Sequence, residues 1–117
     1  MIRAIIRRQV NKKEAIPILL RELRREAIGF PGYVSGETLV STEDPYIVTV
    51  ISTWQNIADW KKWEASEQRQ QILKKIEPYL SALPLIDTYE FLSTEEMDYL
   101  EDPFGWLVTK EHSSFDG

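Results

Sequence analysis

The chain has 117 residues, of which 43% are hydrophobic, and its formal net charge at neutral pH is −5. These values fit one domain with a hydrophobic core and argue against a disordered chain. There is no cysteine, which excludes disulfides, thiolate nucleophiles and cysteine-ligated zinc or iron–sulfur sites.

Two further absences narrow the class of protein. No apolar run is long enough to cross a membrane, and the charged N-terminus does not match a signal peptide. We therefore expect a cytoplasmic protein that does not bind a membrane. The single histidine, His112, lies in a polar C-terminal stretch, which argues against a histidine triad, a multi-histidine metal site and a buried haem ligand.

The charge is distributed unevenly along the chain. Basic side chains are concentrated in residues 1–30, whereas the remainder is strongly acidic. Glu22 and Glu26 alternate with arginines at helical spacing, which is typical of a solvated helix face. The overall acidity also disfavours contact with a phosphate backbone, so we expect no nucleic-acid partner.

Residues 2–10 are rich in isoleucine and alternate as a strand does. Arg8 stands out, because it is a cation at the end of the more apolar face. Two interpretations remain open. Its side chain either extends to water or pairs with a carboxylate, or it points at an anionic or enolate-like group in a pocket.

A helix is predicted to follow this strand. Asn11 is a candidate N-cap, with Glu14 three residues later, but Pro17 favours a regular helix that starts near Ile16. Apolar residues then recur at the spacing of one helix face. Gly29 is predicted to end the helix in the left-handed conformation.

Residues 33–42 and 46–53 are predicted to form the second and third strands. Gly36 indicates a bulge in the second strand or a close approach by another backbone. The third strand is apolar on both faces, so both faces must be covered. Helices can cover one of them, and a second copy of the chain is the economical cover for the other.

Three of the four tryptophans, Trp54, Trp60 and Trp63, lie where this third strand gives way to a helical region. Asn56 is a candidate cap at its start, and Ser66 a candidate second cap within it. Trp60 and Trp63 are one helical turn apart, so their rings lie side by side. The rings are either core anchors or walls of a pocket for a flat, apolar ligand.

The helical region extends to about residue 80, and residues 83–92 are predicted to form a fourth strand. The element order βαββαβ predicts an α+β, ferredoxin-like fold, with a four-stranded antiparallel sheet and helices on one face. We assign residues 1–93 to this domain. The remaining segment, residues 94–117, is predicted to dock on the domain or on a dimer partner because it carries Phe104, Trp106 and Leu107.

Three landmarks carry a family resemblance: Pro31 to Tyr33, the apolar strand that ends at Trp54, and the segment from Trp63 to Ser66. With these landmarks, residues 2–92 resemble the antibiotic biosynthesis monooxygenase-like domains of the dimeric α+β barrel superfamily. The resemblance implies a homodimer in which two sheets pack face to face, with a pocket in each subunit between sheet and helices. Some members oxygenate polycyclic aromatic substrates with molecular oxygen and no metal or flavin.

Other relatives degrade haem with a pocket tryptophan, an asparagine on the first strand and a histidine on the second helix. Trp63 looks like the pocket tryptophan. Arg7 to Gln9 stand where the asparagine would be, and Leu73 or a neighbour stands where the histidine would be. We therefore expect no haem degradation.

The resemblance thus implies a cofactor-independent monooxygenase that acts on a small aromatic or polycyclic substrate, with no metal and no cofactor. Such an enzyme needs a hydrogen-bonding group, a cation for the anion that forms, and a dry aromatic cavity. The candidate catalytic residues are Trp63, Arg8, Tyr33 and Tyr89. The candidate substrate-binding residues are Trp54, Trp60 and Trp63. The alternative is a non-catalytic dimeric barrel that binds an unknown small ligand or a partner protein.

Overall fold

The computed structural model describes residues 1–93 and residue 95. Their element order is that of a ferredoxin-like α+β fold, as predicted, with the second helical region divided into two helices. The elements are β1 Ile2–Gln9, α1 Ile16–Ile28, β2 Tyr33–Val40, β3 Ile47–Trp54, α2 Ile57–Glu64, α3 Glu67–Ile76 and β4 Leu85–Glu90. Short 3₁₀ turns, Lys13–Ala15 and Glu77–Tyr79, precede α1 and follow α3.

The four strands form one antiparallel sheet in the order β2-β3-β1-β4. Burial alternates along the central strand β1, because Ile6 and Arg8 are buried whereas Arg3 and Arg7 are exposed. The helices therefore cover one face, as predicted. We call this the covered face, and the opposite side of the sheet the open face.

The core lies between the covered face and the helices. Its largest fully buried apolar side chains are Trp54 and Trp60. Helices α1 and α3 each contribute a stripe of buried apolar side chains. The buried apolar residues are Ile2, Ala4, Ile6, Val10, Ile16, Leu20, Leu23, Ala27, Val48, Trp54, Trp60, Trp63, Ile72 and Ile76. All three tryptophans of the predicted cluster are thus buried in the same core.

The boundaries of α1 differ in part from the prediction. The helix begins at Ile16 with Pro17 in its first turn, as expected, but Asn11 does not cap it. The Asn11 amide instead donates to the Pro78 carbonyl at 3.2 Å, which fastens the end of β1 to the second 3₁₀ turn. Gly29 was wrongly expected to be left-handed, since its φ is −79°. The positive φ, 88°, belongs to Gly32, where a side chain would collide with Asp59.

Both predicted caps in the second helical region are confirmed. The Asn56 side chain accepts from the backbone N–H of Asp59 at 2.9 Å, which begins α2. The Ser66 hydroxyl accepts from the backbone N–H of Arg69 at 3.2 Å, which begins α3. Ser66 also donates to the Trp63 carbonyl at 2.8 Å, so one side chain joins the two helices.

The irregularity in β2 lies between Tyr33 and Ser35 rather than at Gly36. Gly36 instead has a close neighbour, because a Cβ there would stand 2.6 Å from the Tyr33 hydroxyl, and that side chain would have to shift. The sequence predicted a bulge at Gly36 or a close approach by another backbone, but the nearest atom belongs to the side chain of Tyr33. The consequence is that the Tyr33 ring folds back over its own strand.

The sequence predicted that residues 94–117 dock on the domain or on a dimer partner. The docking of residues 94–117 lies outside the described residues. Within the part of the chain that the structure describes, no helix has the length and apolarity needed to cross a membrane.

Candidate functional site

The tryptophan cluster is built where β3 meets α2. The Trp54 ring centroid lies 6.0 Å from that of Trp60 and 6.3 Å from that of Trp63. The indole N–H of Trp54 donates to the Ser52 hydroxyl at 3.0 Å, so its one polar atom is satisfied inside the core. Trp54 is therefore the packing centre of the cluster.

Two further aromatic rings border the cluster. Phe30 lies 4.9 Å from Trp63, and Tyr33 lies 5.4 Å from Trp54, both with edge-to-face geometry. Burial raises the pKa of the Tyr33 hydroxyl, with a smaller opposing effect from the charge of Arg24 and a further increase from Glu37. Tyr33 is thus protonated at neutral pH and can donate a hydrogen bond.

A cavity of about 40 Å³, the inner pocket, lies beside these rings. Its walls include Trp60 and Trp63, whereas Trp54 is not among the lining residues. The polar part of the lining comes from Tyr33, Ser52 and Arg69 among others. The full lining is Ile6, Leu20, Leu23, Arg24, Ala27, Tyr33, Gly36, Thr38, Val50, Ser52, Trp60, Trp63 and Arg69. Trp60 and Trp63 therefore serve both the core and a cavity.

A larger cavity of about 520 Å³, the outer cleft, adjoins the inner pocket. It is lined by Lys13, Ile16, Pro17, Leu20, Arg21, Arg24, Thr38, Val40, Pro45 and Val48. Its volume lies within the range of small-molecule sites. Leu20, Arg24 and Thr38 line both cavities, and Arg24 donates to the Thr38 hydroxyl at 3.3 Å. That hydrogen bond spans the boundary between the two.

Arg8 is buried on the covered face of β1, with 1% of its surface exposed. Burial and the nearby charge of Arg69 lower the pKa of Arg8 to about 10, so the side chain is a cation at neutral pH. It does not line either cavity, but its neighbours do. Ile6, two residues along β1, lines the inner pocket, and Val48, its partner on β3, lines the outer cleft.

Arg69 was not among the predicted site residues. It lies in the first turn of α3 with 3% of its surface exposed, and its guanidinium carbon is 5.6 Å from the centre of the Trp60 ring. Burial lowers the pKa of Arg69, and the carboxylate of Glu64 partly opposes this. The sequence did hold an indication, because Arg69 shares the three- and seven-residue spacing of the core residues Ile72 and Ile76.

Tyr89 is separated from the other candidates. It pairs with Arg3 on β1 and lies on the open face, where 59% of its surface is exposed. The sheet itself stands between Tyr89 and the tryptophans. The structure therefore brings together Trp54, Trp60, Trp63 and Tyr33, places Arg8 close by, and leaves Tyr89 apart.

Side chains that could ligate a metal ion do not cluster in the described residues. Among these, no group of three or more histidine, cysteine, aspartate or glutamate side chains is placed to hold a metal ion. The polar groups that the two cavities do offer are cations, hydroxyls and one phenol.

Comparison with known proteins identifies the family to which this chain belongs. Residues 1–75, more than half of the chain, match the antibiotic biosynthesis monooxygenase family. The chain belongs to this family, as the sequence landmarks predicted. A comparison with curated proteins gave no match.

Solved structures share the fold at low sequence identity. A conserved protein from Methanosarcina mazei Go1 is 20% identical with a TM-score of 0.73, over 78% of this chain and 92% of that one. An antibiotic biosynthesis monooxygenase is 17% identical with a TM-score of 0.72, over 80% of this chain and 100% of that one. SnoaB, a cofactor-independent oxygenase from Streptomyces nogalater, is 11% identical with a TM-score of 0.72, over 80% and 94%. At these identities the likeness shows the fold alone.

Proposed function

We propose that this protein is a cofactor-independent monooxygenase that acts on a small aromatic substrate. The observation that carries the proposal is the cavity beside Trp60 and Trp63, which shares the lining residues Leu20, Arg24 and Thr38 with a cleft of about 520 Å³. Membership of the monooxygenase family and the fold shared with SnoaB support it. The substrate body would occupy the outer cleft, with one edge directed to the inner pocket.

The chemistry requires a substrate that can itself reduce oxygen. An ionised phenol or enol transfers one electron to O₂, and the superoxide and substrate radical then combine to form a carbon–oxygen bond. If that carbon carries a hydrogen, the peroxide loses water and leaves a carbonyl. One oxygen atom enters the product and the other leaves as water, so the substrate supplies every electron.

The protein's part is to favour the anion and to exclude water. Arg69 offers a positive charge at the wall of the inner pocket, with the charge of Arg8 behind it. Tyr33 offers a protonated hydroxyl, and Trp60 and Trp63 provide a dry aromatic wall. No carboxylate belongs to the described lining of either cavity. Positive charge that lowers the substrate pKa therefore replaces a carboxylate base in this proposal.

Oxygen uptake with anthrone-like phenols tests the proposal. Arg69→Gln should lower the rate about 100-fold, which is the size of effect seen when one group that stabilises an oxyanion is removed. Tyr33→Phe should lower it about 10-fold, as for one hydrogen bond. Arg25→Gln on the exposed side of α1 is the control and should change nothing. Uptake by the wild type no faster than the spontaneous reaction across such phenols would contradict the function.

We propose that the active form is a homodimer joined through the open face. That face exposes apolar side chains that the described chain does not cover, among them Leu39, Leu85 and Tyr89. A second copy with the same apolar face would bury them on both sides. Sedimentation at micromolar concentration should give twice the chain mass of 13.7 kDa. A species of 13.7 kDa alone would rule the dimer out.

A non-catalytic barrel that binds a small ligand is the second candidate. The small volume of the inner pocket, about 40 Å³, favours it, because a space of that size holds only a few waters and does not admit an aromatic ring beside Trp63. A bound ligand that is recovered unchanged, with no oxygen consumed, would select this candidate over the oxygenase.

A further inference from the structure

Arg8 and Arg69 form an unusual pair in the interior of this protein. Both side chains are almost wholly buried, and the two charges are close enough for Arg69 to lower the pKa of Arg8. Nε and Nη1 of Arg8 and Nε of Arg69 are buried donors with no hydrogen-bond acceptor among the described residues. The Arg69 Nη1 does donate to the Glu64 carbonyl, at 3.3 Å.

Such an arrangement is costly for a protein without a ligand. Buried charges are normally paired, and buried N–H groups nearly always have an acceptor. Glu64 offsets the charge of Arg69 only in part, because its half-buried carboxylate also lies 3.9 Å from the Lys61 ammonium. Neither arginine has a salt bridge within the described residues. As far as the described residues go, the interior therefore holds two buried cations and three arginine N–H donors without an acceptor.

We infer that Arg69, on the wall of the inner pocket, binds the carboxylate of an aromatic ligand at the first turn of α3, and that Arg8 adds its positive charge from β1 behind that wall. A carboxylate presents two coplanar oxygens that match the donor fork of a guanidinium, and one negative charge would relieve the repulsion between the two cations. The inferred ligand would thus supply Arg69 with an acceptor that the described residues do not provide.

The dimensions of the two cavities decide how such a ligand would lie. The inner pocket, about 40 Å³, has room for a group of the size of a carboxylate, since one water needs roughly 10–15 Å³ by this measure. The outer cleft, about 520 Å³ with mainly apolar walls, has room for an aromatic body. Lys13, Arg21 and Arg24 line that cleft and would attract an anion to its mouth. The acid group would therefore enter first.

This inference goes beyond the oxygenase proposal and does not depend on it. A ligand that is bound but never oxidised would use the same two arginines. We therefore test binding in the absence of oxygen, so that failure of the oxygenase chemistry leaves the result unaffected.

The experiment compares three acids with their neutral amides on the full chain in low-chloride buffer: acetate, benzoate and 2-naphthoate. Binding is measured by calorimetry and by tryptophan fluorescence, because Trp60 and Trp63 line the inner pocket. We expect at least one aromatic acid to bind 10-fold or more tightly than its amide. Arg69→Gln should remove that preference and Arg8→Met should reduce it, whereas the exposed control Arg25→Gln should retain it.

Arg69→Lys gives a second measurement, because it keeps the charge but removes the planar fork. It should retain only part of the preference for the acid, and it applies even if Arg69→Gln fails to fold. The inference is overturned if no acid of the three binds more tightly than its amide. It is also overturned if the preference survives in both arginine variants, or if Arg25→Gln removes it equally, since general surface attraction would then explain the binding.

Discussion

The two faces of the sheet use the same strands in different ways. On the covered face of β1, side chains are buried whether they are apolar or charged, and even Arg8 is sealed from water. On the open face, apolar side chains such as Leu85 remain more than half exposed, at 55% for that residue. The chain's own helices close the first face around a pocket, whereas the described residues leave the second face uncovered. In our proposals the first face is the site of chemistry and the second is the site of assembly.

The largest expected effect comes from breaking the covered face at its centre. Trp54→Ala removes a wholly buried ring that contacts Trp60, Trp63 and Tyr33, so it should lower the free energy of unfolding by about 3–5 kcal/mol. Urea denaturation followed by circular dichroism measures this. Ile18→Ala on the exposed side of α1 is the control and should cost little. A loss below about 1 kcal/mol for Trp54→Ala would mean that the tryptophan cluster is not the packing centre.

The open face is tested by placing a charge where a second copy would pack. Leu85→Asp should leave the fold of each chain intact, because Leu85 is exposed in the monomer. It should weaken the dimer by about 3 kcal/mol, more than 100-fold, because the new carboxylate would be buried without a partner. Analytical ultracentrifugation follows the dissociation. The matched control, Ile18→Asp, changes an exposed residue on α1, and equal dissociation in both variants would argue against the open face as the interface.

The third prediction concerns Arg8 on the covered face, which has no salt bridge among the described residues. Replacing a buried, poorly compensated ion by an apolar chain of similar length is often stabilising by roughly 1–4 kcal/mol, so Arg8→Met should unfold at a higher temperature than the ligand-free wild type. The exposed neighbour Arg7→Met is the control, with little change expected in its monomer. Destabilisation by Arg8→Met would show that Arg8 has a supporting role instead.

The pH dependence of this difference follows from the pKa of Arg8, which burial and the charge of Arg69 lower to about 10, well below its value in the unfolded chain. Below pH 10 the arginine is charged in both states, so the folded protein bears the full cost of burying it. Above pH 10 the folded state loses the proton first, and the wild type gains stability relative to Arg8→Met. The advantage of the variant should therefore be constant from pH 7 to 9 and shrink above pH 10. An advantage that grows with pH would refute this assignment.

The contrast between the faces also explains what sequence patterns could reveal. Alternation along β1 predicted the covered face, and the caps Asn56 and Ser66 predicted where the helices begin, because these effects are local. Tyr89 was assigned to the pocket because alternation alone does not tell which face of β4 the helices cover. The pairing of Tyr89 with Arg3 settles that it lies on the open face. Such pairing depends on residues far apart in the sequence.

Arg69 shows a different limit of sequence analysis. A charged residue in the first turn of a helix is usually solvated, and Arg69 is followed by polar residues. Its burial results from the break between α2 and α3, which turns the start of α3 toward Trp60. The break was predicted from Ser66, but the direction in which α3 continues after it depends on packing across the core.

The smallest expected effect tests whether Ser66 positions Arg69 in the covered face. Ser66→Ala removes a cap and should cost about 1 kcal/mol of unfolding free energy. Asn56→Ala removes the corresponding cap of α2 at a similar cost, but Asn56 has no bond to Arg69. Only Ser66→Ala should therefore also weaken binding of an aromatic acid, and Ser66→Asp should restore it by capping the same N–H. If both alanine variants weaken acid binding equally, general loosening of the helices accounts for the effect, and Ser66 has no separate part in holding Arg69.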